Sequence, residues 1–478
     1  MFIHGEWHAG SGAGEVEITN PSTGKVFASV PEADQADLDR AIDSAREGLE
    51  AWRNTQPRVR AQVLNRMAER IKERDQHFAR IEADDTGASI GSGLWTIHDV
   101  VARRLEYYAG MADKIRGDTF VTPGQFLSYS MREPVGVTGH VIPWNGPLWI
   151  GSRSIAPALA AGNAVVVKPS SEAPLSLLEF AALAFECGLP PGVLNVVTGR
   201  GSSTGSAFVA HPGLDGIYFT GSTATGRRVT EAAAGRSVRT VMELGGKSPN
   251  IVMADADIEQ ALQGAAFAIF ANAGQICVAG SRLLVQAPIH EQFVARLAEM
   301  ASAIRLGGPD TDADMGPVIT ASQRDAVLAH IAAGRGEASL VTGGGTPQDD
   351  ALEGGFFVEP TIFDDVPPDA SIAREEIFGP VLAVTPFEDL DEAVAIANDT
   401  PFGLAAAVWT TDLLTAHRCA ERLQAGQVFV NHYYTAAFEM SRTPYKASGH
   451  GVSEGPDAIW EYLQQKLVSI KTGESGGW

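Results

Sequence analysis

The sequence predicts an α/β fold of two or three domains, on three observations. The chain has 478 residues, more than one ordinary core accommodates. From about residue 135 short β-rich runs alternate with helical ones, the order that builds right-handed βαβ units on a parallel sheet. A second region, roughly 246–446, repeats that alternation.

The elements follow in order. Asp34 stands as a helix cap ahead of Leu38, Ile42, Ala45, Leu49 and Trp52, apolar positions that fall on one helical face. A second helix carries Val63, Met67, Ile71, Phe78 and Ile81 and stops at Gly87; a third spans 94–111, completing an all-helical opening. Strands are expected at 135–142, 164–167, 194–197, 217–220, 240–244 and 250–253, with helices at 175–185 and 203–210. The second region adds helices at 258–270, 290–304 and 390–398. Segments 125–132 and 465–471 alternate as strands do, and either suits an edge strand pairing outside its own domain.

Composition narrows the function classes. Hydrophobic residues at 45% and charged residues at 20% are those of a soluble globular protein. A net charge of -22 opposes sequence-independent binding to nucleic acid or to an anionic membrane. Cys187, Cys277 and Cys419 offer neither a disulfide framework nor a metal site, so no metal and a reducing, cytoplasmic setting are expected. The amino terminus lacks a basic stretch followed by an apolar run, and no apolar stretch is long enough to span a bilayer.

Three residues invite chemistry. Cys277 follows an apolar helix and sits among small residues, which suits an accessible thiol; its plainer reading is a buried structural cysteine. Glu243 ends a strand before two glycines, where sites form, or is simply an exposed acid. Asn145, between Pro143 and Pro147, presents amide N–H groups rigidly toward an oxyanion, or serves only its turn. Two glycine runs, 199–205 and 221–226, each follow a strand and open a helix, where backbone N–H groups collect phosphate. Neither is the usual dinucleotide fingerprint.

Read together, Pro143-Trp144-Asn145, Lys168-Pro169-Ser170, Phe219-Thr220-Gly221-Ser222, Glu243-Leu244-Gly245-Gly246-Lys247, Gln275-Ile276-Cys277 and Glu375-Glu376-Ile377-Phe378-Gly379-Pro380 resemble the aldehyde dehydrogenase superfamily over essentially the whole chain. The Glu–Cys separation, 277 − 243 = 34 residues, also fits. The resemblance implies a Rossmann-like cofactor domain from 1–126 and 139–245 and an α/β catalytic domain from 246–446. A small β oligomerisation flap would come from 127–138 with the tail 447–478, and a homodimer or homotetramer is implied. Cys277 would attack the aldehyde carbon, with Asn145 and the Cys277 N–H on the oxyanion of the thiohemiacetal. Hydride transfer to NAD or NADP would leave a thioester, and Glu243 would activate the water that hydrolyses it. Relatives that pass the acyl group to coenzyme A generally lack a glutamate here, so a free acid is the implied product.

The same resemblance puts Lys168 on the adenosine ribose, Ser222 on the pyrophosphate, Glu376 on the nicotinamide ribose and Phe378 near the ring. Trp144 would line the cleft, Gly201 and Gly205 would lie beside the adenine, and Thr220, Gly221 and Leu244 complete the cofactor contacts. Three departures carry information. Ser171 stands where NAD-preferring relatives usually place Glu, with Glu172 one position later, which makes NADP a candidate. Arg153 and Arg442 stand where pocket aromatics are common, and Arg153 resembles the succinate-semialdehyde enzymes, so an anionic aldehyde is expected unless both arginines pair with acids. Gly146 replaces a common Phe and would widen the tunnel, with Trp149 able to refill it. A neutral-aldehyde dehydrogenase, an esterase-like hydrolase using the same thiol and a non-catalytic binding relative are the alternatives.

Overall fold

The computed structural model describes residues 1–122, 125–434 and 437–473. The opening is not all helical. Its first thirty-one residues form two antiparallel strand pairs, Phe2–Ile3 with Glu6–Trp7 and Glu15–Asn20 with Lys25–Pro31. These strands are too short or too exposed on one face to give a strong periodic signal.

Helix Gln35–Arg53 begins at Asp34 through a reciprocal capping box with Asp37, and its buried face carries the expected Leu38, Ile42, Ala45, Leu49 and Trp52. The expected second helix is two, Pro57–Glu73 and Asp75–Thr86. Arg74 leaves the helical region between them, at φ -111° and ψ 25°, and Gly87 at φ 76° caps the second. The third run is helical throughout with a π-helical middle, Thr96–Ala102, between Ile90–Trp95 and Arg103–Met111.

Eight strands form the first sheet, in the order Glu6–Trp7, Phe2–Ile3, Leu194–Val196, Ala164–Pro169, Val137–Ile142, Gly216–Thr220, Arg239–Glu243 and Gly449–His450. Its five central strands are parallel. Side chains alternate between two cores: Val165 and Val167 join one, Ala164 and Val166 the other. Burial on both faces explains why these strands read as unbroken apolar runs. A second, seven-stranded sheet runs Ser339–Thr342, Thr361–Asp364, Val381–Phe387, Arg282–Gln286, Pro249–Val252, Ala405–Trp409 and Gln427–Val430, parallel except at its first strand.

The two strand-like segments outside these sheets pair with each other. Phe126–Pro134 lies antiparallel to Leu463–Lys471 over nine residue pairs, and Thr119–Phe120 adds a third strand. The architecture is the expected one, a Rossmann-like domain, a second α/β domain and a small β flap. The sheets nevertheless divide the tail differently from 447–478. Gly449–His450 closes the edge of the first sheet against Met242 and Glu243, and only Leu463–Lys471 joins the flap. Residues 474–478 of that expected segment lie outside the described ones.

Candidate active site

Helix Ile258–Phe270 ends in a tight turn whose Asn272, Ala273 and Gly274 all have left-handed backbone, at φ 50°, 53° and 72°. That conformation costs roughly 1–2 kcal/mol per non-glycine residue, so neighbouring bonds must hold it. The Gln275 side chain, buried, donates to the Asn272 carbonyl at 3.1 Å and accepts from the Ile319 N–H at 2.9 Å. Asn145 Nδ2 donates to the Gln275 carbonyl at 2.9 Å, and Asn272 Nδ2 donates to the Asn145 carbonyl at 3.1 Å. Glycines let the surrounding chain close in. A Cβ on Gly274 would lie 2.1 Å from the Gly379 carbonyl oxygen, and one on Gly246 would lie 2.4 Å from that of Cys277. The motifs 243–247, 275–277 and 375–380, far apart in sequence, thus touch at the half-buried Cys277.

Burial pushes the Cys277 thiol up to about 11, against the pull of the Arg153 cation, while Glu243 and Glu376 push it further up. Such a thiol needs a base or a cation to act as a nucleophile at neutral pH. Asn145 carries two amide hydrogens and Gln275 takes one, leaving the second for an oxyanion.

Glu243 ends the strand Arg239–Glu243 and is buried. Its Oε1 accepts from Ser453 Oγ at 2.6 Å, and its Oε2 lies 3.9 Å from Arg153 Nη1. Arg153 Nη2 in turn donates to Thr220 Oγ1 at 3.0 Å. Among the described residues no hydrogen bond joins Glu243 to Cys277; its hydrogen-bond partner is Ser453. Arg153, Ser154, Thr220, Glu243 and Ser453 line one side of a small pocket.

The second arginine has a different setting from the one expected. Arg442 Nε lies 2.9 Å from Glu454 Oε2, and the other Glu454 oxygen accepts from Arg104. Glu454 and Arg104 are each 1% exposed. Burial opposes the Glu454 charge, but Arg104, Arg442 and Arg153 outweigh it and hold the carboxyl below its usual range. Arg153 and Arg442 therefore both meet acids of their own chain, which tempers their expected role as paired tunnel cations. Gly146 leaves room for a side chain, since an added Cβ would first meet Trp149 Cβ at 3.6 Å. The Trp149 ring stacks at a tilt on Trp95, 5.2 Å between centroids.

Most of the expected cofactor residues lie along the ends of the first sheet, and Glu376 and Phe378 come from the loop ahead of strand Val381–Phe387 in the second. Lys168 is buried and has no hydrogen-bond or ion-pair partner among the described residues. Burial lowers its ammonium to about 8, against the pull of Glu172 and Glu32. A Cβ added to Gly205 would lie 3.9 Å from Lys168 Cε, and one added to Gly201 would meet nothing within 4 Å. Ser170 and Ser171 both donate to the Glu172 carboxylate, Ser171 at 3.0 Å. Ser222 caps helix Thr223–Ala234 through the Thr225 N–H, the Gly221 N–H donates to the Glu243 carbonyl at 3.1 Å, and Leu244 packs where a Cβ on Gly226 would intrude at 2.3 Å. Glu376 Oε1 accepts from the Gly246 N–H at 3.0 Å, and burial pushes its carboxyl up to about 7. Phe378, at φ 54°, meets Trp144 edge to face at 5.4 Å. The glycine run 199–205 winds into a π-helical turn, Gly201–Gly205, continuous with helix Ser206–Ala210, and Glu32 engages Arg200 and Ser203 beside it.

Comparison with known proteins agrees with this geometry. The sequence profile of the aldehyde dehydrogenase family matches residues 7–468. The chain belongs to the aldehyde dehydrogenase family. It is 43% identical over 474 residues to the hydroxyisobutyraldehyde dehydrogenase of Mycolicibacterium austroafricanum, covering 98% of this chain and 93% of that relative. To the human mitochondrial aldehyde dehydrogenase it is 41% identical over 478 residues, covering 98% and 92%. Among solved structures, the betaine aldehyde dehydrogenase of Staphylococcus aureus in complex with NAD+ superposes with a TM-score of 0.97 at 36% identity, covering all of this chain and 96% of that one.

In this aldehyde dehydrogenase sequence reasoning missed Gln275 as an anchor of the thiol loop, and missed Ser453, Glu454 and Arg104 altogether. Gln275 was legible as part of its motif; the other three carry no local signal. All three cysteines are free, and no described helix is long and apolar enough to cross a membrane. One group with metal-ligand spacing, His290, Asp364 and Asp365, lies on the second sheet, where His290 Nε2 is 2.8 Å from Asp364.

Proposed function

We propose that the chain oxidises an aldehyde to the free carboxylic acid with NAD(P), through a thiohemiacetal and then a thioester on Cys277. The observation that carries this reading is the convergence of Asn145, Gly246 and Gln275 on the Cys277 loop, with Glu243 and Glu376 acting on the same thiol. Cys277 gives its proton to Glu243, which passes it to solvent, Sγ bonds to the aldehyde carbon, and the carbonyl oxygen takes up charge against the free Asn145 N–H and the Cys277 N–H. Bound nicotinamide supplies the acceptor for the hydride. Lys168, with an unpaired buried amine, Ser222 at a helix start and Glu376 at the Gly245–Gly246 turn are the groups suited to hold the cofactor's ribose and phosphate oxygens. Glu243 then takes a proton from the water that attacks the thioester, the C–S bond breaks, and the acid leaves with the thiol restored.

Of the two cofactors, NAD is the better fit. Ser171 turns its hydroxyl to Glu172, so a carboxylate remains beside Lys168 where a 2′-phosphate would be repelled. A kcat/KM for NADP equal to or above that for NAD would overturn this point. For the aldehyde, three guanidinium groups, Arg104, Arg153 and Arg442, face two carboxylates, Glu243 and Glu454. Because Arg153 and Arg442 each already meet a carboxylate and Arg104 is buried, the anionic-aldehyde reading loses its support and a neutral aldehyde is the better fit.

The flap supports a homo-oligomer: Leu127, Tyr129, Met131, Val468 and Ile470 share one of its faces, with Leu127 and Ile470 each 45% exposed. Three free thiols suit a reducing compartment. The test is reduction of NAD followed by absorbance, with anionic and neutral aldehydes of matched length. Cys277→Ala should abolish it with both. Reduction that survives in that variant would end the thioester reading.

A further inference from the structure

The turn that presents Asn145 runs into a helix that cannot cap itself. Helix Pro147–Ala161 starts after Gly146, which has no side chain to offer, and Pro147 has no N–H, so Leu148 carries the first N–H inside the helix. That donor is met from another element. Glu82, on helix Asp75–Thr86, accepts at Oε1 from the Leu148 N–H at 2.8 Å and from Ser176 Oγ at 3.3 Å. We infer that Glu82 positions Asn145 for the oxyanion by fixing the start of the helix that follows it, an inference that rests on the oxyanion reading of Asn145 proposed above.

The anchor is built from buried parts. Glu82, Leu148 and Ser176 are all buried, and Glu82 has no ion-pair partner among the described residues. Burial pushes its carboxyl up to about 7, against the two hydrogen bonds it accepts. A carboxyl placed there costs folding energy that an apolar side chain would not. Its oxygen accepts both bonds whether the group is ionised or neutral, so it serves as a fixed acceptor and not as a charge. Asp85, on the same face of the same helix, repeats the device: its Oδ2 accepts from the Leu175 N–H at 2.9 Å, where helix Leu175–Glu186 starts without a side-chain cap of its own. Asn145 therefore lies between two tethers. Its own carbonyl accepts from Asn272 Nδ2 at 3.1 Å on the side of the thiol loop, and Glu82 holds Leu148 on the other. Pro147 has a locked φ, which leaves Gly146, at φ 174° and ψ 67°, as the one loose joint between Asn145 and the helix. Holding Leu148 removes that freedom.

Glu82 is a positioning residue, acting through Asn145. The readout is the single-turnover rate of NADH formation with saturating NAD and propanal, a neutral aldehyde. Glu82→Leu should slow it on the order of ten- to a hundred-fold, the effect of a displacement of up to about 1 Å, at unchanged KM for NAD. Glu82→Gln, which keeps the oxygen acceptor, should run close to the parent. In an Asn145→Ala background Glu82→Leu should cost nothing further, since residues that act through one another are not additive. Asp85→Leu, which empties the neighbouring anchor on the same helix, should also run close to the parent. Alkylation of Cys277 by iodoacetamide forms a C–S bond and releases iodide without an oxyanion, so Glu82→Leu should label at the parent rate. Parent-like turnover in Glu82→Leu, a full further loss in the Asn145→Ala background, an equal loss in Asp85→Leu or slowed labelling overturns the anchor. If Glu82→Leu does not fold, a slow Glu82→Gln does the same. Turnover indifferent to Asn145→Ala alone would instead bring down the oxyanion assignment.

Discussion

The loop that carries Cys277 and the strap 449–455, whose Ser453 donates to Glu243, are held by different forces. The loop is fixed by neutral bonds and close backbone contacts: Asn145, Asn272 and Gln275 bond to carbonyls at 2.9–3.1 Å, and Gly246 and Gly274 let main chain approach. The strap is fixed by charge, with Glu454 between Arg104 and Arg442 and almost no exposure of the first two. Neutral networks set geometry cheaply, because no ion is desolvated. Buried ion pairs define one arrangement but leave a large penalty when a partner is lost. Damage to the loop should therefore appear in catalysis, and damage to the strap in stability.

The largest effect is expected on the strap. Arg104→Met leaves Glu454 buried with one guanidinium fewer, which should cost about 3–5 kcal/mol, read as a lower denaturant midpoint at unchanged slope. A loss below about 1 kcal/mol, the worth of a surface pair, would mean that water or Arg442 compensates and that the two regions do not differ in kind.

On the loop, Asn145→Ala should lower kcat by about 10²–10³ through the lost oxyanion donor, with the denaturant midpoint close to that of the parent. Gly246→Ala places a Cβ 2.4 Å from the Cys277 carbonyl oxygen and must shift the thiol. A displacement near 1 Å costs roughly a hundred-fold in rate, again without a large change in stability. If either variant unfolds as readily as Arg104→Met, the contrast between the regions fails.

The same contrast explains what the sequence made legible. Residues on the loop side are local or motif-bound: Cys277 and Gln275 are two positions apart, Glu243 and Gly246 three, and the strand ends and glycines around them mark turns. The parallel sheets were legible for a related reason, since burial on both faces leaves unbroken apolar runs such as 164–167. Arg104, Glu454 and Ser453 gave no such mark. Arg104 sits mid-helix, 350 residues from Glu454, and a buried arginine reads in sequence as a solvated one. Ser453 lies 210 residues from Glu243 in a tail whose strand signal, at 465–471, pointed to the flap. Even Arg153 and Arg442, visible as unusual residues, did not disclose which acids they face. The break at Arg74 escaped because Ile71 and Phe78 on either side keep helical spacing, and the opening strands because they are too short or too exposed to give a periodic signal.

The smallest effect separates thiol from base by pH. Burial holds the Cys277 thiol at about 11 in the cofactor-free chain, so its thiolate fraction rises ten-fold per pH unit below that value. Without a base, alkylation follows the thiolate alone. In Glu243→Gln the logarithm of the iodoacetamide rate should therefore climb with a slope near one between pH 7 and 9, and loss of the Glu243 charge should shift the whole curve modestly to lower pH, since that charge opposes the thiolate. The parent should be flatter over the same range, because Glu243 takes the thiol proton wherever it is ionised. A flat profile in Glu243→Gln would mean that the thiol is already ionised at neutral pH, with Arg153 outweighing burial, and the loop rather than the strap would then be the region organised by charge.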